Sequence, residues 1–334
     1  MTNLTLRIVE TLRRLALATL LALASGLVAS LAAPSQSLAQ NCSATLADIQ
    51  FGNIDVTANT TIDTTSRLTV SCTGTAGRTV RVCAEFGQGS GGADAGLNPR
   101  YMAAGAAPLA YNLYTNNART TIWGNSSEPA TNIPTIDVLI GTNGTGRANQ
   151  NVFARVIAGQ RTVPIGSYST SLAGGDTRLR FAYATSATCS SLGAAIEQPL
   201  SLSVFAAVIP RCTVSATNLD FGATGQLTSS RDATNRLSVV CTSGAPYSIG
   251  LDGGLAASTD PTRRSMSKGS ETIFYGLYRN AGRTLPWGSN AGIDTMGASG
   301  TGGTQSFTVF GRVPTQTTPS PGVYSDTVIV TVTY

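Results

Sequence analysis

The residues with most chemistry to offer are six cysteines, Cys42, Cys72, Cys83, Cys189, Cys212 and Cys241, in a 334-residue chain without a single histidine. Thiols can close disulfides, hold zinc or act as nucleophiles. Zinc sites draw on closely spaced Cys and His, and this chain has no CxxC pair and no His. The missing histidine also removes Ser–His and Cys–His nucleophile pairs. Carboxylates such as Asp48, Asp55 and Asp63 are scattered and give a glycosidase-type pair no positive support. The glycine-rich stretch GQGSGGADAG (87–96) lacks the GK[ST] of a phosphate loop and reads as a turn. The sequence therefore predicts no enzyme, no cofactor and no metal site, and leaves disulfide formation as its chemistry.

Disulfides need an oxidising compartment. The N-terminus supplies the route: Arg7, Arg13 and Arg14 precede the apolar run LALATLLALASGLVASLAA, and SLAQ offers small residues for cleavage after Ala39. This is the pattern of a secretory signal peptide over residues 1–39. Those residues hold three of the 22 basic and one of the 17 acidic side chains, so the mature chain carries a net charge of +3. With Lys268 as its one lysine it shows no nucleic-acid footprint.

The mature chain repeats itself. NCSATLADIQFG (41–52) matches RCTVSATNLDFG (211–222), with Cys and Phe nine positions apart in both. RLTVSC (67–72) matches RLSVVC (236–241), YNLYTNNARTTIWGN (111–125) matches YGLYRNAGRTLPWGS (275–289), and VFARV (152–156) matches VFGRV (309–313). A repeat of roughly 150 residues is a whole domain rather than a solenoid unit. The matched positions pair Cys42 with Cys72 and Cys212 with Cys241; Cys83 and Cys189 lack counterparts and by elimination pair with each other. Trp123 and Trp287 also match, which argues for framework packing rather than a binding site.

These residues must be positioned by strands. Short runs rich in Val, Thr and Phe alternate with Gly, Asn and Pro turns, and helical periodicity is nearly absent. The chain ends in GVYSDTVIVTVTY (322–334), where Val328, Val330, Val332 and Tyr334 share one face of a period-two pattern. The expected fold is all-β: two tandem antiparallel β-sandwiches.

C-x8-FG, RLSVVC, YGLYRNAGRTLPWG and above all GVYSDTVIVTVTY resemble the spore coat protein U domain, also the building block of archaic chaperone–usher pili. The second copy resembles it throughout, the first in outline, with extra cysteines and longer loops. The resemblance implies immunoglobulin-like, pilin-type sandwiches, the second lacking its final strand. It also implies a periplasmic chaperone that lends a strand, an outer-membrane usher, and a next subunit that donates a strand in turn. Val328, Val330, Val332 and Tyr334 then form the strand that pairs with chaperone and subunit. Burying four or five donor side chains at 1.5–3 kcal/mol each contributes about 6–15 kcal/mol, as much as an ordinary domain's stability.

A shaft subunit needs an N-terminal donor segment, yet cleavage after Ala39 leaves only Gln40 and Asn41 before Cys42. A donor-like segment lies inside the chain instead: PLSLSVFAAVIP (199–210) sets Leu200, Leu202, Val204, Ala206 and Val208 on one face. It either completes the first domain in cis or begins the second. The expected organisation is a signal peptide (1–39), an N-terminal tip domain (40–198) and a C-terminal pilin domain (199–334, with 199–210 as linker strand). The expected role is the tip subunit of a pilus on a Gram-negative cell surface, exported through the periplasm and attaching to an external surface. The alternative is a shaft or coat component without its own ligand. Apolar residues in a turn-rich stretch, Leu97, Tyr101, Met102 and Leu109, are expected on exposed loops that contact that surface; packing into the domain's own core is the competing reading.

Overall fold

The computed structural model describes residues 40–334 except 105–106, 184–186 and 193–194. The expected leader, residues 1–39, lies outside them. The described chain is all-β, in two tandem immunoglobulin-like sandwiches. The first contains β1 (Asn41–Leu46), β2 (Ile49–Ile54), β3 (Ile62–Thr73), β4 (Thr79–Glu85), β5 (Arg100–Met102), β6 (Leu109–Tyr114), β7 (Ile136–Leu139), β8 (Thr145–Val156), β9 (Gly166–Tyr183) and β10 (Ile196–Val208). The second contains β11 (Cys212–Ala216), β12 (Arg231–Cys241), β13 (Pro246–Leu251), β14 (Arg264–Lys268), β15 (Glu271–Tyr278), β16 (Met296–Ser299), β17 (Thr304–Val313) and β18 (Val330–Thr333).

The first sandwich packs sheet β1-β3-β8-β6-β5 against sheet β2-β10-β9-β4-β7. In the second, β11-β12-β17-β15-β14 repeats the first of these orders. The facing sheet has only β16-β13-β18, the counterparts of β7, β4 and β9. Among the described residues nothing takes the places of β10 and β2, and residues 217–222, which match the start of β2, are coil.

The sequence pattern explains the layers. Along β12 and β17 every second residue faces inward, so Leu237, Val239, Val309 and Val313 meet in the core while the residues between them face out. Each sandwich is braced alike. Trp123 Nε1 donates to the Ala84 carbonyl and Trp287 Nε1 to that of Ile249, at 2.8 and 2.9 Å. Both indoles are buried, which agrees with a framework role. Asp63 accepts two hydrogen bonds from Arg155, and Asp232 two from Arg312. Arg100 and Arg264 are fully buried cations that donate to four groups each, three of them carbonyls for Arg100 and all four for Arg264. Burial alone brings the Arg100 guanidinium down to about 10.

The sandwiches meet with almost no linker. The Ile209 N–H donates to the Ile54 carbonyl in the first, and the Arg211 N–H donates to Thr242 Oγ1 in the second, so Pro210 alone stands between them.

Candidate functional site

The first sandwich shows what a completed groove looks like. β10 lies antiparallel to β9 and parallel to β2, the parallel pair being a departure from the all-antiparallel expectation. A strand inserted between two strands that run opposite ways must be parallel to one of them. Its face of Leu200, Leu202, Val204, Ala206 and Val208 is at most 6 % exposed and closes the core together with Ile49, Phe51, Leu172 and Leu179. The segment 199–210 therefore pairs within the first sandwich. Its start is tied down: Arg178 and Arg180 of β9 bridge buried Glu85 at 3.2 and 3.0 Å and Glu197 of β10 at 3.6 Å each. The Cys83–Cys189 disulfide fastens the β9–β10 connection to β4 and forms a small apolar cluster with Leu192.

The second sandwich has the same groove without the strand. Among the described residues β18 pairs with β13 on one edge only, and nothing pairs with its other edge. Val328, Val330 and Val332 are half-buried against the second core; Leu219 and Phe221, the counterparts of Ile49 and Phe51, are half-buried too. Val323, Ile329 and Tyr334 are exposed. Bare edges and open apolar floor together form a slot for an extended strand.

The bare strand is nonetheless held in place. The backbones of Ser325 and Ser267 exchange hydrogen bonds at 2.9 and 3.2 Å. Tyr324 donates its hydroxyl proton to the Ser320 carbonyl (2.8 Å), as Tyr168 does to Pro164 (2.9 Å) in the first sandwich. The Asp326 carboxylate accepts from the Tyr275 hydroxyl at 2.6 Å and the Leu255 N–H at 2.8 Å. Burial, and then the bond to Asp326, pushes the Tyr275 hydroxyl far up. Asp252 Oδ1 accepts from the Ile329 N–H at 2.9 Å. Burial lowers Arg264, and Asp252, Asp326 and Asp294 nearby offset part of that cost.

The structure contains disulfides Cys42–Cys72, Cys83–Cys189 and Cys212–Cys241. The first and last join directly opposed residues of neighbouring strands. Val328, Val330 and Val332 come together against the second core, whereas Tyr334, expected on the same face, is exposed and does not pack there. The expected contact loops need correction. Leu97, Met102 and Leu109 are buried, and Met102 of β5 is paired with Leu109 of β6. Only Tyr101 is partly exposed, its hydroxyl bonded to Asp94. A three-residue strand bounded by Gly, Pro and Ala looks like loop in sequence, yet it edges a sheet. Asp326, Tyr275 and Arg264 were not singled out from sequence. Asp326 gave a sign: it interrupts the apolar face of the last strand.

The profile of the Spore Coat Protein U domain matches residues 28–174 and 199–331. No curated protein matches the chain. Among solved structures, a chain of the CsuC–CsuE chaperone–tip adhesion subunit pre-assembly complex, from the archaic chaperone–usher Csu pili of Acinetobacter baumannii, is similar in fold. It is 17% identical with a TM-score of 0.50, and the match covers 88% of this chain and 100% of that one. The CupB6 tip adhesin of Pseudomonas aeruginosa is 12% identical with a TM-score of 0.40, over 87% of this chain and 94% of its own.

Proposed function

The chain belongs to the Spore Coat Protein U domain family, and from that premise we propose that it is the tip subunit of a chaperone–usher pilus, assembled by donor-strand complementation. It is a structural protein and not an enzyme. The observation that carries the reading is the contrast between the two grooves: one is filled by the chain's own β10, and the other is left open by the described residues. A subunit built this way takes one strand from a neighbour through its second sandwich. Its first sandwich is complete and free to face outward.

In this reading residues 40–209 form the outward, attaching unit and residues 211–334 the pilin unit. A periplasmic chaperone first occupies the groove along Val328, Val330, Val332 and Tyr334; at the outer-membrane usher the next subunit's strand replaces it. The first sandwich then mediates attachment and biofilm formation at the cell surface of a Gram-negative bacterium. The solved relative in complex with its chaperone supports the fold on which this rests.

Gold-labelled antibody against residues 40–209 on purified fibres tests the reading. Label confined to fibre ends is the expected result. Label along the length would make the chain a shaft component instead.

A further inference from the structure

The two sandwiches are close enough in structure to be compared residue by residue along the groove. The bridges Ala103–Ser169 and Ser267–Ser325 occupy the same place, as do the hydroxyl bonds of Tyr168 and Tyr324. Thr170 therefore corresponds to Asp326, and Leu172 to Val328. In the filled groove Val204 of β10 lies directly opposite Thr170, and Thr170 is covered to 3 % exposure. Its hydroxyl accepts from the Gly91 N–H at 3.0 Å and asks nothing of the strand beside it.

In the open groove the same register holds a carboxylate. Asp326 is partly exposed, and among the described residues no strand covers it. It is fixed there by Tyr275, by the Leu255 N–H, and by Gly254, where a Cβ would run into the carboxylate. Opposed residues of an antiparallel pair hold their Cβ atoms about 5 Å apart. A strand entering this groove in the register of β10 thus places one side chain over Asp326. An apolar side chain there desolvates the carboxylate and adds no partner to the three it already has, the Tyr275 hydroxyl and the Leu255 and Thr327 N–H groups. A side chain with an N–H group covers it and bonds to it.

This matters because the chain carries a donor-like strand of its own. Every copy brings one β10 and one open groove, and β10 of one copy entering the second sandwich of another would give a self-polymer. We propose that Asp326 is the selectivity residue of the open groove, rejecting β10 through its Val204 and favouring donor strands with a hydrogen-bond donor at that register. This rests on the reading of the groove as a strand acceptor. The ion pairs of Glu197 and the Cys83–Cys189 tether act in the same direction by keeping β10 in its own sandwich.

The test uses the full mature chain and two synthetic peptides of residues 196–209, the parental sequence and its Val204→Lys variant, titrated by calorimetry. The parental peptide is expected to bind the wild-type chain at least tenfold more weakly than the Val204→Lys peptide. Asp326→Thr should reverse this preference and shift the chain toward self-association in light scattering. Asp326→Asn keeps the side chain's shape and removes the charge, and should relax the preference without loss of folding by circular dichroism. Equal affinities of both peptides for all three chains would overturn the selectivity and leave strand acceptance standing. No binding of either peptide to any of the chains would overturn both.

Discussion

Leu179 of the first sandwich and Val332 of the second occupy the same site: each is paired across its sheet with the residue whose carbonyl receives the tryptophan indole N–H, Ala84 or Ile249. The register of the terminal strand follows. Val330 corresponds to Thr177, and Tyr334 to Phe181. Gly174, Gly175 and Asp176 are an insertion that bulges β9 where the second sandwich runs straight on.

Val330→Asp is expected to be lost from the periplasm and absent from fibres. Its side chain lines the apolar groove, and an unpaired carboxylate buried there costs several kcal/mol, ~2–7 for a polar group alone. Thr331→Asp, on the exposed face, should accumulate near normally. The measurement is the amount of each variant recovered with and without co-expressed chaperone. Normal assembly of Val330→Asp would sink the donor-strand account.

Residues 40–209 should fold as a monomer without a chaperone, while residues 40–198 should aggregate or be degraded, since they lack most of the strand that closes the core. Within the longer form, Leu202→Ala should cost about 2–5 kcal/mol in urea unfolding, the usual range for a buried leucine. Equal stability of the two lengths would remove β10 from its assigned role.

Non-reducing peptide mapping should recover the bonds Cys42–Cys72, Cys83–Cys189 and Cys212–Cys241. Replacing Cys83 and Cys189 together by Ser opens the longest loop, 106 residues. By the chain-entropy relation that costs about 4–5 kcal/mol. The loss should fall on the first sandwich and leave the melting of the second unchanged.

Acid should weaken both sandwiches through matched carboxylates. Hydrogen bonds from Arg155 hold Asp63 below its ordinary value of 3.8, and those from Arg312 do the same for Asp232. A depressed carboxyl contributes stability above its unfolded value and loses it as the pH falls through the folded one. Melting temperature should thus decline below about pH 4. Asp63→Asn and Asp232→Asn should each flatten that decline, and because both carboxylates are over a third exposed the effect is small.

Much of this was legible in the sequence, for reasons that particular residues make plain. Val328, Val330 and Val332 announce a strand because β-branched side chains at period two have one meaning. Cys42–Cys72 and Cys212–Cys241 are legible because the repeat shows the pair twice, and Cys83–Cys189 follows by elimination. The home of β10 is not: alternation from Leu200 to Val208 says that one face is buried, but register alone decides in which sandwich. Met102 and Leu109 were misplaced because a three-residue strand leaves no period to read. Arg100 and Arg264 were invisible because a cation caged mainly by backbone carbonyls has no partner in the sequence, and arginine ordinarily reads as surface.

The single-residue joint at Pro210 has a mechanical consequence. Tension on the second sandwich enters the first along the covalent path through Arg211 and Pro210, beside the hydrogen bond from the Ile165 N–H to the Ser243 carbonyl, and so arrives at the C-terminal end of β10, directed along that strand. Its neighbours β9 and β2 flank it on both sides. The load is thus applied in shear, and the ladder bonds on both edges must give way together rather than peel one after another. With almost no slack at the joint to absorb the first part of a pull, resistance of the first sandwich to such a load is set by how slowly β10 slides out of its own sheet, an unfolding rate rather than an equilibrium.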